Sequence, residues 1–383
     1  MKTPHCSVLG LLLGLGVSTL GVATLGAPAL AAPLADRLER PAQPSASAVR
    51  APLTDLQRLG TRLVMVGASG HILLRDADGR VHQAAVPVDL LLTAVHFVDE
   101  RQGWAVGHDG VILHSADGGA TWLKQLDGHS LNALMQRWAE AEVARLEAAS
   151  AAAPDDEALA SALDDALFAL DDVKAGAAPG PSRPLLDVWF HNAAEGWAVG
   201  AYGMIVHTRD GGRSWAYVAG LDNPERLHLN AVLGLADGSL LVAGEGGRLH
   251  RSGDGGRTWQ AVAQPTQASL YRLLRLDDGQ LLAMGFGGAL FGSRDQGQNW
   301  QAIALPVKAS LYGGEQLADG SLLLSGQGGL LLHSRDLARF HTWQAAGKAP
   351  WLGTAELPGG QLALVGSGGL QVLPLAELTE PLQ

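Results

Sequence analysis

Hydrophobic and polar positions alternate in short bursts along most of the chain, and the bursts repeat. Apolar runs such as Leu53–Leu59 and Arg62–Gly67 are separated by clusters of Gly, Asp and Asn, as expected of strands joined by tight hairpin turns. In each unit one strand leads into a G-x-x-G element: Gly67–Gly70, Gly107–Gly110, Gly200–Gly203, Gly244–Gly247, Gly285–Gly288, Gly326–Gly329 and Gly366–Gly369. The first glycines step by 40, 93, 44, 41, 41 and 40 residues. A period of about 40 with several short strands per unit has the length of a propeller blade, and the long step is one period plus an insertion of about 50 residues. The pattern predicts an all-β fold, a seven-bladed β-propeller over residues 52–373 with a helical-hairpin insertion between blades 2 and 3.

The first blade reads as Leu53–Leu59, Arg62–Gly67, His71–Arg75 and Val81–Val86, the second as Thr93–Val98, Trp104–Gly107, Val111–Ser115 and Trp122–Gln125. The seventh offers only Gly353–Leu357, Gln361–Val365 and Leu370–Leu373. Folded proteins avoid open strand edges, so Ala46–Arg50 is expected to supply the missing strand, with Leu375–Leu378 in the tail (374–383) as the competing candidate. The rest of 32–51, rich in Ala, Pro and Ser, reads as a flexible leader.

Within 130–184 the period changes. Leu131, Leu134, Met135 and Trp138, then Leu159, Leu163, Ala166, Leu167 and Leu170, follow helical spacing. Pro154 and Asp155 suit the start of the second helix. Between Ser130 and Ala175 ten acidic residues face three basic ones, a net of −7 out of −11 for the whole chain. Such a hairpin can be a solvated face or a docking element for a basic or apolar partner. The Asp pairs lack EF-hand spacing.

At the other end, Lys2, an apolar run over 8–25 and Ala29–Ala31 form the pattern of a secretory signal peptide, residues 1–31. The lone Cys6 falls inside it, leaving a mature chain without thiols, as suits an oxidising compartment. An exported, periplasmic protein is expected, or a lumenal one if the source is photosynthetic. The composition, 47% hydrophobic with 50 Gly, supports a buried core, and the net negative charge argues against a nucleic-acid partner.

A second motif lies between the third and fourth strands of four units. It is Ser115, Asp117, Gly119 and Trp122; Thr208, Asp210, Gly212 and Trp215; Ser252, Asp254, Gly256 and Trp259; and Ser293, Asp295, Gly297 and Trp300. A degenerate copy begins at Ser334. Each Asp can accept turn amides, each Gly permits the turn and each Trp can fill a seam between blades. Repetition in blade after blade makes these structural groups, not a catalytic centre. The G-x-x-G tips lie on the opposite face with the insertion, and Ser69, His108, Asp109, Tyr202, Glu245, Phe286 and Gln327 form a candidate partner-binding face. Asp109, Tyr202 and Glu245 have the residue types of a hydrolase site, but no catalytic residue, cofactor site or metal site is assigned. His114, His207 and His333 recur in different blades, and no phosphate-binding or zinc motif is present.

The second motif is the Asp box, or bacterial neuraminidase repeat. Sialidases share it, but the Arg-Ile-Pro motif of their active centre is missing here. The units Gly103–Gly107 and Gly196–Gly200, each Gly-Trp-Ala-Val-Gly followed by G-x-x-G and an Asp box, resemble the photosystem II stability/assembly factor family. That resemblance covers roughly 52–373 outside the insertion. It implies a non-enzymatic propeller, in photosynthetic organisms a lumenal chaperone for newly made reaction-centre protein. The expectation is a monomeric assembly or stability factor for a protein client, a membrane protein or an envelope transporter component, without a small-molecule substrate. The alternative is a carbohydrate-active or carbohydrate-binding sialidase-like propeller.

Overall fold

The computed structural model describes residues 36–379. The signal-peptide reading of 1–31 and the end of the tail lie outside the described residues. Among the described residues seven antiparallel sheets follow one another, six of four strands and the last of three, and in each sheet every strand pairs with its neighbour in sequence. The first strands are Leu53–Leu59, Leu92–Phe97, Leu185–Phe190, Leu229–Gly234, Leu270–Arg275, Leu311–Gln316 and Trp351–Leu357. Each touches the next, and the last touches the first, so the sheets stand radially around a common centre. The fold is an all-β propeller.

Second strands such as Gly103–Gly107 and Leu240–Gly244 are buried along their whole length. That is why they read as unbroken apolar runs: sheets press on both of their faces. The core is divided among the seams. Leu63, Met65 and Leu73 of the first sheet pack with Ala355, Leu357, Ala363 and Val365 of the seventh, joining the two ends of the chain.

A register shift recurs near the start of the first strands, between Leu53 and Asp55, Leu92 and Ala94, and Leu229 and Ala231. The extra residue of each bulge turns its side chain to the following sheet. Thr54 Oγ1 donates to the Leu92 carbonyl at 2.6 Å, Thr93 Oγ1 to Leu185 at 2.7 Å and Asn230 Nδ2 to Leu270 at 2.9 Å. Neighbouring sheets are thus stitched by hydrogen bonds where no ladder connects them.

The chain ends differ from expectation. Ala48–Arg50 forms a single 3-10 turn, not a strand, because Ala48, Arg50 and Ala51 bond to carbonyls three residues back. Leu375–Leu378 adds no strand either; Ala376–Thr379 is a short helix, with Leu378 buried. The turn still packs on the third strand of the seventh sheet, Val49 lying with Leu370 and Val372. The leader over 36–47 is tied down as well. Leu38 is fully buried, Arg40 pairs with Asp89 at 2.7 Å and the Ala42 amide bonds to Val86. A single apolar anchor outweighs the Ala/Pro/Ser composition around it.

Between the second and third sheets run two helices, α1 (Gly128–Ala152) and α2 (Glu157–Ala177). Asp127 and Asp156 cap them by accepting the Ser130 amide and the Ala158 and Leu159 amides. Ala139 and Val143 of α1 pack on Leu163, Ala166 and Leu170 of α2. Leu131 and Met135 enter the seam between the second and third sheets.

Candidate functional site

The four Asp boxes are closed local networks. Ser115 Oγ donates to Asp117 at 2.8 Å and accepts the Gly119 amide at 2.8 Å. Asp117 accepts the Thr121 amide and hydroxyl at 3.0 and 2.6 Å. The same pattern surrounds Asp210, with Thr208, Gly212 and Ser214. It surrounds Asp254 with Ser252, Gly256 and Thr258. Around Asp295 it uses Ser293, Gly297 and Asn299. Hydrogen bonds from Ser214 hold the Asp210 carboxyl down to about 2, and those from Asn299 do the same for Asp295. Trp122, Trp215 and Trp259 are buried in three successive seams, with Trp300 packed against a fourth. The bridging role of the Ser/Thr hydroxyl was not part of the sequence reading. His114, His207 and His333 sit in three different sheets, bonded to Gln102, Glu195 and Ser321.

Six of the seven G-x-x-G tips are one-turn 3-10 elements with a left-handed central residue, and Gly366–Gly369 is a plain hairpin turn. Ser69, Asp109 and Tyr202 take φ of 55°, 53° and 59°, whereas Gly246, Gly287 and Gly328 stand at the equivalent place in later sheets. A bulky side chain is rare in that region of backbone space. Tyr202 accepts the strain and projects its ring into solvent, 56% exposed. Ser69, His108, Phe286 and Gln327 are also exposed, each on its own turn. Asp109 is partly covered, because α1 begins directly on its turn: a Cβ on Gly128 would lie 2.5 Å from the Asp109 carbonyl.

Two of the seven tip residues, Tyr202 and Glu245, are brought into one groove of about 770 Å³. The helical pair forms one wall through Met135, Trp138 and Val173, and the other comes from the third and fourth sheets and the loop before Leu229. His228 joins the two tips. Its ring meets Tyr202 edge-on at 5.0 Å, its Nδ1 lies 3.3 Å from Glu245, and Glu245 accepts its amide at 2.8 Å. Arg183 lies 5.8 Å from the centre of the Tyr202 ring. Asp172 on α2 bonds to Arg226 across the groove and lies 4.0 Å from Arg183. Trp138 contacts Tyr217 edge-on at 5.4 Å, and burial raises the Tyr217 hydroxyl pKa. Three aromatic rings with paired charges at their rim make a surface that can take up apolar side chains and hydrogen-bonding backbone.

Sequence reasoning missed His228, Arg183, Arg226 and Asp172. One signal pointed to Arg226 and His228: the Gly200-to-Gly244 spacing is 44 residues against 40 or 41 in the other regular steps. The extra residues lengthen the loop that carries Asn223, Arg226 and His228.

Comparison with known proteins bears on the fold. The family described as photosynthesis system II assembly factor YCF48 matches residues 181–321. YCF48 from Cyanidioschyzon merolae is similar in structure with a TM-score of 0.58 at 14% identity, over 88% of this chain and 99% of that one. YCF48 bound to D1 peptide follows at 0.56 and 17%, over 85% and 93%. The chain is a propeller that resembles the photosystem II assembly factors.

No curated protein matches this assembly factor-like propeller in sequence. A GH74 enzyme from Niastella koreensis is similar at a TM-score of 0.57 and 12% identity, over 85% of this chain and 52% of that one. At such identity the likeness is one of fold, because chemistry resides in particular side chains.

Proposed function

We propose that this assembly factor-like propeller is a non-catalytic exported scaffold that binds a protein client. Its seven sheets act as blades of one ring, its helical pair is an insertion between the second and third blades, and the client lies in the groove beneath that pair. The observation that carries this reading is the meeting of Tyr202 and Glu245, from separate turns, with Trp138 of the helical wall and Tyr217 of the third sheet in one groove. YCF48 bound to D1 peptide offers a relative of the same fold in complex with a peptide. The client is a membrane-associated or exported protein, met in the periplasm by a monomer whose Asp boxes are structural.

The test is a photo-crosslinking residue placed at Tyr202 and, separately, at Arg213 on the Asp-box turn. One client band from the first position and none from the second supports the groove; equal labelling at both removes it. The same aromatic rings also suit a sugar, so a fluorogenic-glycoside screen belongs beside it. Turnover that Glu245→Gln abolishes would establish the carbohydrate-active alternative.

A further inference from the structure

The outward side of α2 carries an aromatic ring that the fold leaves bare. Phe168 is 72% exposed and Leu167 41%, although large apolar residues on a helix normally mark its packed side. At about 100° per residue the sides of the helix grade into one another, meeting at Asp172. Leu163, Ala166 and Leu170 pack on α1. Ala169, Asp172, Val173 and Gly176 line the groove. Ser161, Asp164, Asp165, Phe168 and Asp171, on the side next to the groove wall, are exposed.

The carboxylates bracket the ring. Asp164 and Asp165 stand one turn before Phe168 and Asp171 one turn after it, so negative charge flanks an apolar centre over roughly 10 Å of helix. The ion pairs of the insertion run elsewhere, Arg145 to Glu142 and both Arg183 and Arg226 to Asp172. Among the described residues no salt bridge reaches Asp164, Asp165 or Asp171. An unpaired acidic rim around an apolar pair calls for a partner that brings both cations and apolar surface.

We propose that this strip docks a cationic amphipathic helix of a partner protein. Its apolar residues cover Phe168 and Leu167, and Lys or Arg one turn to either side meet Asp164, Asp165 and Asp171. Charge decides the occupant. A second copy of the chain would bring the same net −7 hairpin, and an anionic lipid surface would be repelled in the same way. The strip borders the groove wall at Asp172, one turn after Phe168, so docking on it is read separately from client binding in the groove.

The probe is a labelled synthetic helix with Leu at i, i+3, i+4 and i+7 and flanking Lys, compared with its Glu counterpart and titrated into the full chain by fluorescence anisotropy. Saturable binding of the Lys helix and none of the Glu helix is expected. Phe168→Ser, which changes no charge, weakens binding at least tenfold, and so does the combined D164N/D165N/D171N chain, which also loses the salt dependence. Leu123→Ser, which removes an equally exposed leucine on the second sheet, leaves binding unchanged. The proposal is overturned if there is no saturable binding, if Phe168→Ser or the triple variant binds like the parent, or if Leu123→Ser weakens binding equally. It is overturned too if sedimentation shows a dimer that Phe168→Ser dissociates, which would make the strip a self-association face.

Discussion

Arg272 on the first strand of the fifth sheet donates to Asp55 on the first strand of the first sheet, Nη2 to Oδ1 at 3.2 Å, across 217 residues of sequence. These sheets are not neighbours around the ring, so the pair spans its middle. Asp55 also accepts the Val95 amide at 3.0 Å, and the charge of Asp187 on the third sheet acts on Arg272 too. One guanidinium therefore ties sheets that share no seam.

Removing that tie destabilises the fold. Asp55 is 4% exposed but Arg272 is 36% exposed, so Asp55→Ala should cost about 2–4 kcal/mol, below the full value of a buried pair. The double variant with Arg272→Ala should cost less than the sum of the two single changes. Urea unfolding measures both; strict additivity would mean that the pair contributes no coupling.

The buried acids predict a pH dependence of a definite sign. Burial pushes the Glu315 carboxyl up to about 7 and that of Asp187 up to about 6. In the unfolded chain such groups titrate near about 4, so between about pH 4 and 7 the folded state holds protons that the unfolded state has released. Stability from these groups is highest in acid and falls as pH rises through that window. The box aspartates Asp210 and Asp295, held at about 2, act in the opposite sense, and their contribution is lost as pH falls toward 2. Glu315→Gln should raise the Tm at pH 8 and leave it nearly unchanged at pH 4. An equal shift at both would refute the assignment.

The Asp boxes are expected to matter for stability and not for binding. Trp122 packs with Leu74 and Val86 in the first seam, meets Phe97 edge-on at 5.8 Å and donates from Nε1 to the Gly119 carbonyl. Trp122→Ala should cost about 3–5 kcal/mol. Asp117→Ala, which strips acceptors from Ser115 and Thr121, should cost about 1–2 kcal/mol. Thermal unfolding gives these costs, and client recovery with Asp117→Ala should match the parent chain.

Asp172 holds α2 to the propeller through Arg226 and Arg183. Asp172→Ala should raise amide exchange over Glu157–Ala177 by about five- to tenfold while the Tm stays within a degree or two of the parent. Exchange unchanged in that segment would place the anchor in the apolar contacts of α1 instead.

Strand positions were legible because each is a local pattern. Leu53–Leu59, Arg62–Gly67 and the hairpins after them obey the two-residue period and turn chemistry, and the Asp boxes need only neighbours within a few residues. The helices announced themselves by period, but their caps are Asp127, which was not singled out, and Asp156, one residue past the Asp155 that the sequence suggested. The edge of the seventh sheet was not legible. Whether Ala46–Arg50 adds a strand or folds into a turn depends on packing against a segment more than 300 residues away. The groove was half legible: Tyr202 and Glu245 stood out as tip residues, but nothing local pairs them with His228 or with Arg226 and Asp172.

The sequence by itself determined the repeat, the order of strands within each unit, the box chemistry and the acidic helical pair, since all of these rest on interactions among residues close in the chain. Only the tertiary structure decided which tips share a groove, that Arg272 meets Asp55, that the leader around Leu38 is anchored, and which side of α2 keeps Phe168 in water. Those outcomes depend on how separate sheets and helices are oriented once apolar surface is buried, and that orientation is a property of the packed ring.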